Sequence, residues 1–141
     1  MPRLDFSKVH TYAAATGGIS LPIGLRSGRK IVDFLAFVDT GASHCLFAKT
    51  HGETLGLDIE AGDPKKFGTA LGPVETFGHL VVIEALGLSV ESMIYFFANE
   101  HIDKNLLGRN GWLDRIRFGL VDYEQTLYLA EYDFEAPGVI S

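Results

Sequence analysis

The sequence predicts a mostly-β single domain with one or two short helices, and three observations point to it. The chain has 141 residues, which suits one ordinary domain and leaves no room for two well-buried ones. Glycine is abundant, at 16 residues, while long helix-forming runs are scarce, a balance that favours strands joined by tight turns. The apolar segments are short, rich in β-branched and aromatic residues, and separated by turn signals. Hydrophobic residues make up 47% and charged residues 21%, so there is enough apolar material for a core and no compositional case for disorder.

Taken in order, Ile19 to Leu25 is short, apolar and interrupted by Pro22, as expected of an edge or early strand. Ser27-Gly28 is a hairpin turn signal between Arg26 and Arg29. Lys30 to Val38 (KIVDFLAFV) reads as a strong strand and delivers Asp39. The stretch AKTHGETLGL has helix formers about four apart and predicts a short helix closing before Asp58. Lys65 to Ala70 and Val74 to Ile83 predict a hairpin around Leu71-Gly72-Pro73, with a mobile, glycine-containing tip. Leu88 to Ala98 is another strand. From Asn105 to Leu129 the pattern predicts a brief apolar strand, a short helix starting near Asn110, and a final hairpin turning at Tyr123-Glu124-Gln125. Trp112, Leu113 and Ile116 sit at helical spacing and are assigned to the core, and Tyr95-Phe96-Phe97 reads as core strand in preference to a substrate-pocket wall.

Composition also excludes functions. Formal net charge is −6, from 18 acidic and 12 basic residues, and such a surface repels phosphates, so no nucleic-acid partner is expected. The short basic clusters, Arg26 with Arg29 and Lys30, and Lys65 with Lys66, read as solvated turns. A single cysteine, Cys45, allows no intrachain disulfide and suits a reducing compartment. The first 18 residues contain no continuous apolar core of a secretory signal. No run reaches the roughly 18 to 20 apolar residues that cross a bilayer. The expectation is a soluble, cytoplasmic protein with no membrane partner.

The chemistry centres on FLAFVDTGASHCLF, residues 34–47. Asp-Thr-Gly alone is weak, since chance supplies it in roughly two or three chains of this length per hundred. Here it follows an apolar strand, Ala42 and Ser43 keep the loop narrow, and Leu106-Leu107-Gly108 lies about seventy residues downstream. The pair FVDTGAS and NLLGRNGWL resembles the retropepsin-type aspartic proteases over roughly Gly18 to Leu129. Their subunits carry one D-T/S-G-A/S loop and a later hydrophobic-hydrophobic-Gly-Arg/Asp stretch.

The resemblance implies an all-β fold, a closed retropepsin-like (acid protease) β-barrel with one or two short helices, assembled as a homodimer. The protease domain would span 18–130, with an N-terminal extension (1–17) and a C-terminal tail (131–141) that is loosely ordered from Phe134 to Ser141, where in this family chain ends help form the dimer sheet. It implies Asp39, Thr40 and Gly41 as the catalytic loop, and Thr40 bonding across the dimer. Ala42, Ser43 and the flap-like Leu71, Gly72 and Pro73 would bind an extended peptide substrate, and Leu107, Gly108 and Arg109 would support the loop. Arg109 reads as a structural ion-pair partner near the loop in preference to a surface charge, although family members often carry an acid where Ser43 stands, which leaves its partner open. No cofactor and no metal are implied.

Elementary chemistry explains the acid. Peptide hydrolysis without a metal needs a base to activate water and an acid to protonate the carbonyl or the leaving amine. Two carboxylates sharing one proton do both, because neighbouring like charges cannot both ionise easily. The chain contains D-T-G once, so a protease of this kind requires Asp39 of a second copy, which an isologous dimer supplies. A thiol nucleophile is disfavoured because His44 and Cys45, adjacent on a strand, point to opposite faces. Zinc is disfavoured because His10, His51, His79 and His101 are scattered. Two function classes remain: an endopeptidase, and a catalytically weak or inactive dimerisation or peptide-binding module on the same fold.

Overall fold

A computed structural model describes residues 1–137. The apolar segments become strands β1 (Lys8–Thr11), β2 (Ser20–Ser27), β3 (Lys30–Val38), β4 (Leu46–Phe47), β5 (Asp63–Thr69), β6 (Gly72–Ala85), β7 (Leu88–Phe97), β8 (Leu106–Leu107), β9 (Ile116–Val121) and β10 (Thr126–Glu131). The helix α1 spans Lys49–Thr54 and the remaining helical pieces are three-residue 3-10 turns. The fold is therefore all-β with little helix. No helix among the described residues is long and apolar enough to cross a membrane.

Local chemistry sets each turn. Ser27 pairs with Lys30 across a two-residue loop, one residue later than the sequence signal, with Gly28 at φ +59°. Positive φ at the first loop residue suits a II′ hairpin turn, whose twist matches the strands it joins. Pro22 lies where β2 pairs only with β3, since β6 meets β2 at Gly24–Arg26 alone. Its missing N–H therefore costs no ladder bond. The short helix expected near Asn110 is instead a single 3-10 turn, Leu113–Arg115. Gly111 at φ +104° breaks the approach to it, and the Asp114 carboxylate accepts the Gly111 N–H at 2.9 Å. Strand β9 begins immediately afterwards.

The strands form two sheets. A three-stranded antiparallel sheet runs β1-β10-β9, and a larger one runs β2-β3-β8-β4-β7-β6-β5, with β6 also pairing back to β2. Arg117 of β9 ties both chain ends to the smaller sheet by donating to the carbonyls of Asp5 at 2.8 Å, Tyr132 at 3.0 Å and Phe134 at 3.2 Å. The rest of the tail expected to be loosely ordered, beyond residue 137, lies outside the described residues.

Leu21, Leu25, Phe47, Phe96, Leu107 and Trp112 are at most 1% exposed and fill one continuous core between the sheets. Each such side chain contributes about 1.5–3 kcal/mol by leaving water. Leu113 and Ile116 pack on its margin. Tyr95, Phe96 and Phe97 are all buried, as expected of a core strand. Along β6 the first buried residue is Thr76. Residues before it, with β5, project from the body as a hairpin.

Candidate active site

Strands β3 and β4 are consecutive in sequence but not neighbours in space. Strand β8 lies between them, parallel to β3 (Phe37 with Leu106, Val38 with Leu107) and antiparallel to β4 (Leu46 with Leu106). Residues 39–45 must therefore arch over the end of β8. This crossing fixes the acid: Asp39 leaves the end of a core strand and its N–H donates to the Leu107 carbonyl at 3.0 Å.

The arch is tight. The Ala42 N–H returns to the Asp39 carbonyl at 3.1 Å, and the Gly41 N–H donates to Asp39 Oδ1 at 2.9 Å. The latter bond fixes the rotation of the half-buried carboxylate and leaves its second oxygen free of that loop. A Cβ on Gly41 would stand 3.3 Å from Oδ1, so glycine keeps this approach open. Thr40 is exposed and its hydroxyl makes no hydrogen bond among the described residues.

From beneath, the segment after β8 staples the arch. The Arg109 N–H donates to the Ala42 carbonyl at 2.9 Å and the Asn110 N–H to the Ser43 carbonyl at 2.8 Å. Asn110 Nδ2 adds a second bond to Ser43 at 2.7 Å. A side chain at Gly108 would run into the His44 and Ala42 carbonyls. The glycine of Leu-Leu-Gly is thus the residue that lets the two segments touch. Asp39 to Ser43 and Leu107 to Arg109 accordingly form one cluster.

Arg109 joins that cluster through its backbone. Its side chain is exposed and, among the described residues, makes no salt bridge. Ser43, where an acidic partner would stand, has its hydroxyl 2.9 Å from His44 Nδ1. Cys45 is fully buried, and burial pushes its thiol up to about 11. A thiol so shielded is no nucleophile at neutral pH.

Leu71, Gly72 and Pro73 lie apart from this cluster, at the end of the β5–β6 hairpin. The turn is Ala70-Leu71, with Gly72 at φ +112° and Leu71 wholly exposed. Thr69 Oγ1 donates to the Gly72 carbonyl at 2.6 Å and closes the tip on itself. Pro73 is already in β6, opposite Gly68. Contact between hairpin and acid loop runs instead through Phe67 of β5, whose ring centroid is 5.3 Å from that of His44. The sequence singles out His44 beside the loop and Tyr95 in a core strand, but not Phe67 and not the meeting of the three. Strand geometry places Lys65, Phe67 and Thr69 on one face of β5, but no local signal in the sequence joins Phe67 to the other two rings.

Comparison with known proteins agrees with this geometry. Residues 27–111, more than half of the chain, match a family described as aspartyl protease. No curated protein sequence matches. Among solved structures, the EIAV protease complexed with the inhibitor HBY-793 is similar in fold, with a TM-score of 0.53 and 21% identity. The alignment covers 67% of this chain and 85% of that one. A single D-T-G arch stapled from below by Leu-Leu-Gly-Arg, inside the matched region, places the chain in the aspartyl protease family, with a retropepsin-like fold.

Proposed function

We propose that this protein is an aspartic endopeptidase whose working unit is a homodimer, with Asp39 of each copy facing the other across a two-fold axis. The observation that carries this reading is the Asp39–Gly41 arch. It is a rigidly held carboxylate on a strand end, present once per chain, in a family whose chemistry takes two. The protease domain is residues 18–130, and the β2–β6 pairing supports a closed barrel.

In the paired site the two carboxylates hold one proton between them. The ionised member takes a proton from water as the water oxygen attacks the peptide carbonyl carbon. The protonated member gives its proton to the carbonyl oxygen, producing a hydrated tetrahedral intermediate. When that intermediate collapses, the proton taken from water passes to the departing amine, one hydroxyl of the diol returns its proton to the other carboxylate, and the C–N bond breaks. The dyad is left with one shared proton, and its titration belongs to the pair. Gly41 keeps each carboxylate oriented, and the exposed Thr40 hydroxyl is available to bond the facing loop.

An extended peptide would lie between the arch and the hairpin, adding its backbone as a strand. Ala42, Ser43 and the tip residues Leu71, Gly72 and Pro73 would contact it, and the tip would close over it to exclude water. The decisive experiment measures cleavage of an unbiased peptide mixture by the wild type and Asp39→Asn, alongside the sedimentation of each. Cleavage by a wild-type dimer and none by the variant dimer is the expected result. Equal cleavage by both, or a wild type that is only monomeric while cleaving, overturns the reading.

A further inference from the structure

Three rings from three different segments meet beside the acid loop. His44 and Phe67 have centroids 5.3 Å apart at 60°, His44 and Tyr95 5.4 Å at 90°, and Phe67 and Tyr95 5.4 Å at 73°. All three contacts are edge-to-face, the arrangement that aligns the positive edge of one ring with the negative face of the next. Tyr95 is 7% exposed and belongs to the core strand β7, so it is the fixed post. His44 stands on the arch, five residues beyond Asp39. Phe67 belongs to the projecting arm.

Two details show that the arm is held here. Phe67 is the one residue of β5 that is not exposed. Tyr95 reaches it across the intervening strand β6 only because Gly78 is there, where a Cβ would come within 2.8 Å of the Tyr95 ring. The Lys65 ammonium lies 5.6 Å from the centroid of Phe67 and 5.7 Å from that of Tyr95, in the position of a cation against aromatic faces. We propose that His44 is a positioning residue which, with Phe67 and Tyr95, clasps the hairpin arm onto the acid loop while its ring is neutral, and releases it on protonation.

The electrostatics give the direction. Protonation of His44 would place a second cation beside Lys65 against the same two rings. Lys65 faces it from β5, Asp114 from the turn after β8, Ser43 from its own loop and Tyr95 from β7. Arg115 shares the shallow groove that His44 lines with Met93, Asn110 and Asp114. Burial first, and then the Lys65 charge, hold the His44 ring below its ordinary range, and Asp114 opposes them. The clasp is therefore closed near neutral pH and loosens in acid, which couples hairpin opening to the conditions that protonate carboxylates.

The proposal concerns the free protein and is tested without activity, so it can fail while the protease reading stands. Backbone order of residues 65–72 is followed by 15N relaxation from neutral to mildly acidic pH, with the His44 ring titration recorded in parallel. In the wild type, arm mobility is expected to rise several-fold along the His44 titration, while β9 and β10 do not change. His44→Phe keeps a ring without a charge and should hold the arm at every pH. His44→Ala should free it at every pH. An arm as ordered in His44→Ala as in the wild type, or a pH response that persists in His44→Phe, overturns the clasp.

Discussion

The acid loop and the hairpin are both turns between strands, yet they are held in opposite ways. Residues 39–43 make four hydrogen bonds with the segment beneath, the Asp39 N–H donating to Leu107 and the Ala42 and Ser43 carbonyls accepting from Arg109 and Asn110, with distances between 2.7 and 3.0 Å. The tip of the hairpin bonds mainly to itself, and the side chain of Leu71 is in full contact with solvent. The difference follows from what each must do. In the proposed dimer the carboxylate shares a proton and has to stay within about half an ångström of its working position, which a mount on core strands provides. In the same proposal the hairpin admits and covers a peptide and must open, which suits a weakly held part of the structure.

This contrast can be broken from either side. The largest effect should come from Gly108→Ala, because its Cβ would collide with the backbone of the arch, which cannot move aside. Urea unfolding should show a loss of about 3 kcal/mol or more, with cleavage lost in parallel. An alanine that is tolerated within error would mean that the arch is not rigidly stapled.

Cys45 offers a titration of the same region. Its thiol is pushed up to about 11 from an ordinary 9.0 by burial. The folded protein thus keeps a proton that the unfolded chain loses. Its contribution is complete below about pH 9 and declines as pH rises towards about 11. The wild type should lose about 2 kcal/mol more than Cys45→Ala over that interval. Parallel stability curves would contradict the burial of this segment.

A smaller change in stability, but not in activity, is expected at Gly41. Alanine there presses a methyl group towards Asp39 Oδ1 and should cost about 1 kcal/mol of stability, while kcat falls by about tenfold or more through misorientation of the carboxylate. The smallest effect belongs to the tip. Leu71→Ser should leave stability within about 0.5 kcal/mol and raise KM a few-fold with little change in kcat. Loss of folding on changing Leu71 would erase the distinction between the two turns.

Much of this was legible in the sequence, for physical reasons that differ by region. Strands β3 and β7 were readable because KIVDFLAFV and LSVESMIYFF carry their β preference locally, and the acid loop because D-T-G with Leu-Leu-Gly is a pair of motifs. The hairpin boundaries shifted by two residues at each strand start, since exposed arms such as β5 carry no in–out alternation. The helix near Asn110 shrank to one turn because Trp112, Leu113 and Ile116 are apolar for the core between two sheets, which imitates helical spacing. The ring cluster of His44, Phe67 and Tyr95 was not legible. It joins residues 23 and 28 apart in sequence through a gap left by Gly78, and only the register of β5, β6 and β7 brings them together.

The central claim is that each active site is made from two copies of Asp39. It is tested most directly by mixing wild-type and Asp39→Asn subunits under conditions that allow exchange, and measuring peptide cleavage against the wild-type fraction at constant total protein. If one site needs both carboxylates, only wild-type pairs are active, and an equal mixture retains about a quarter of full activity. A linear dependence, with about half of the activity left in the equal mixture, would mean that each chain cleaves by itself.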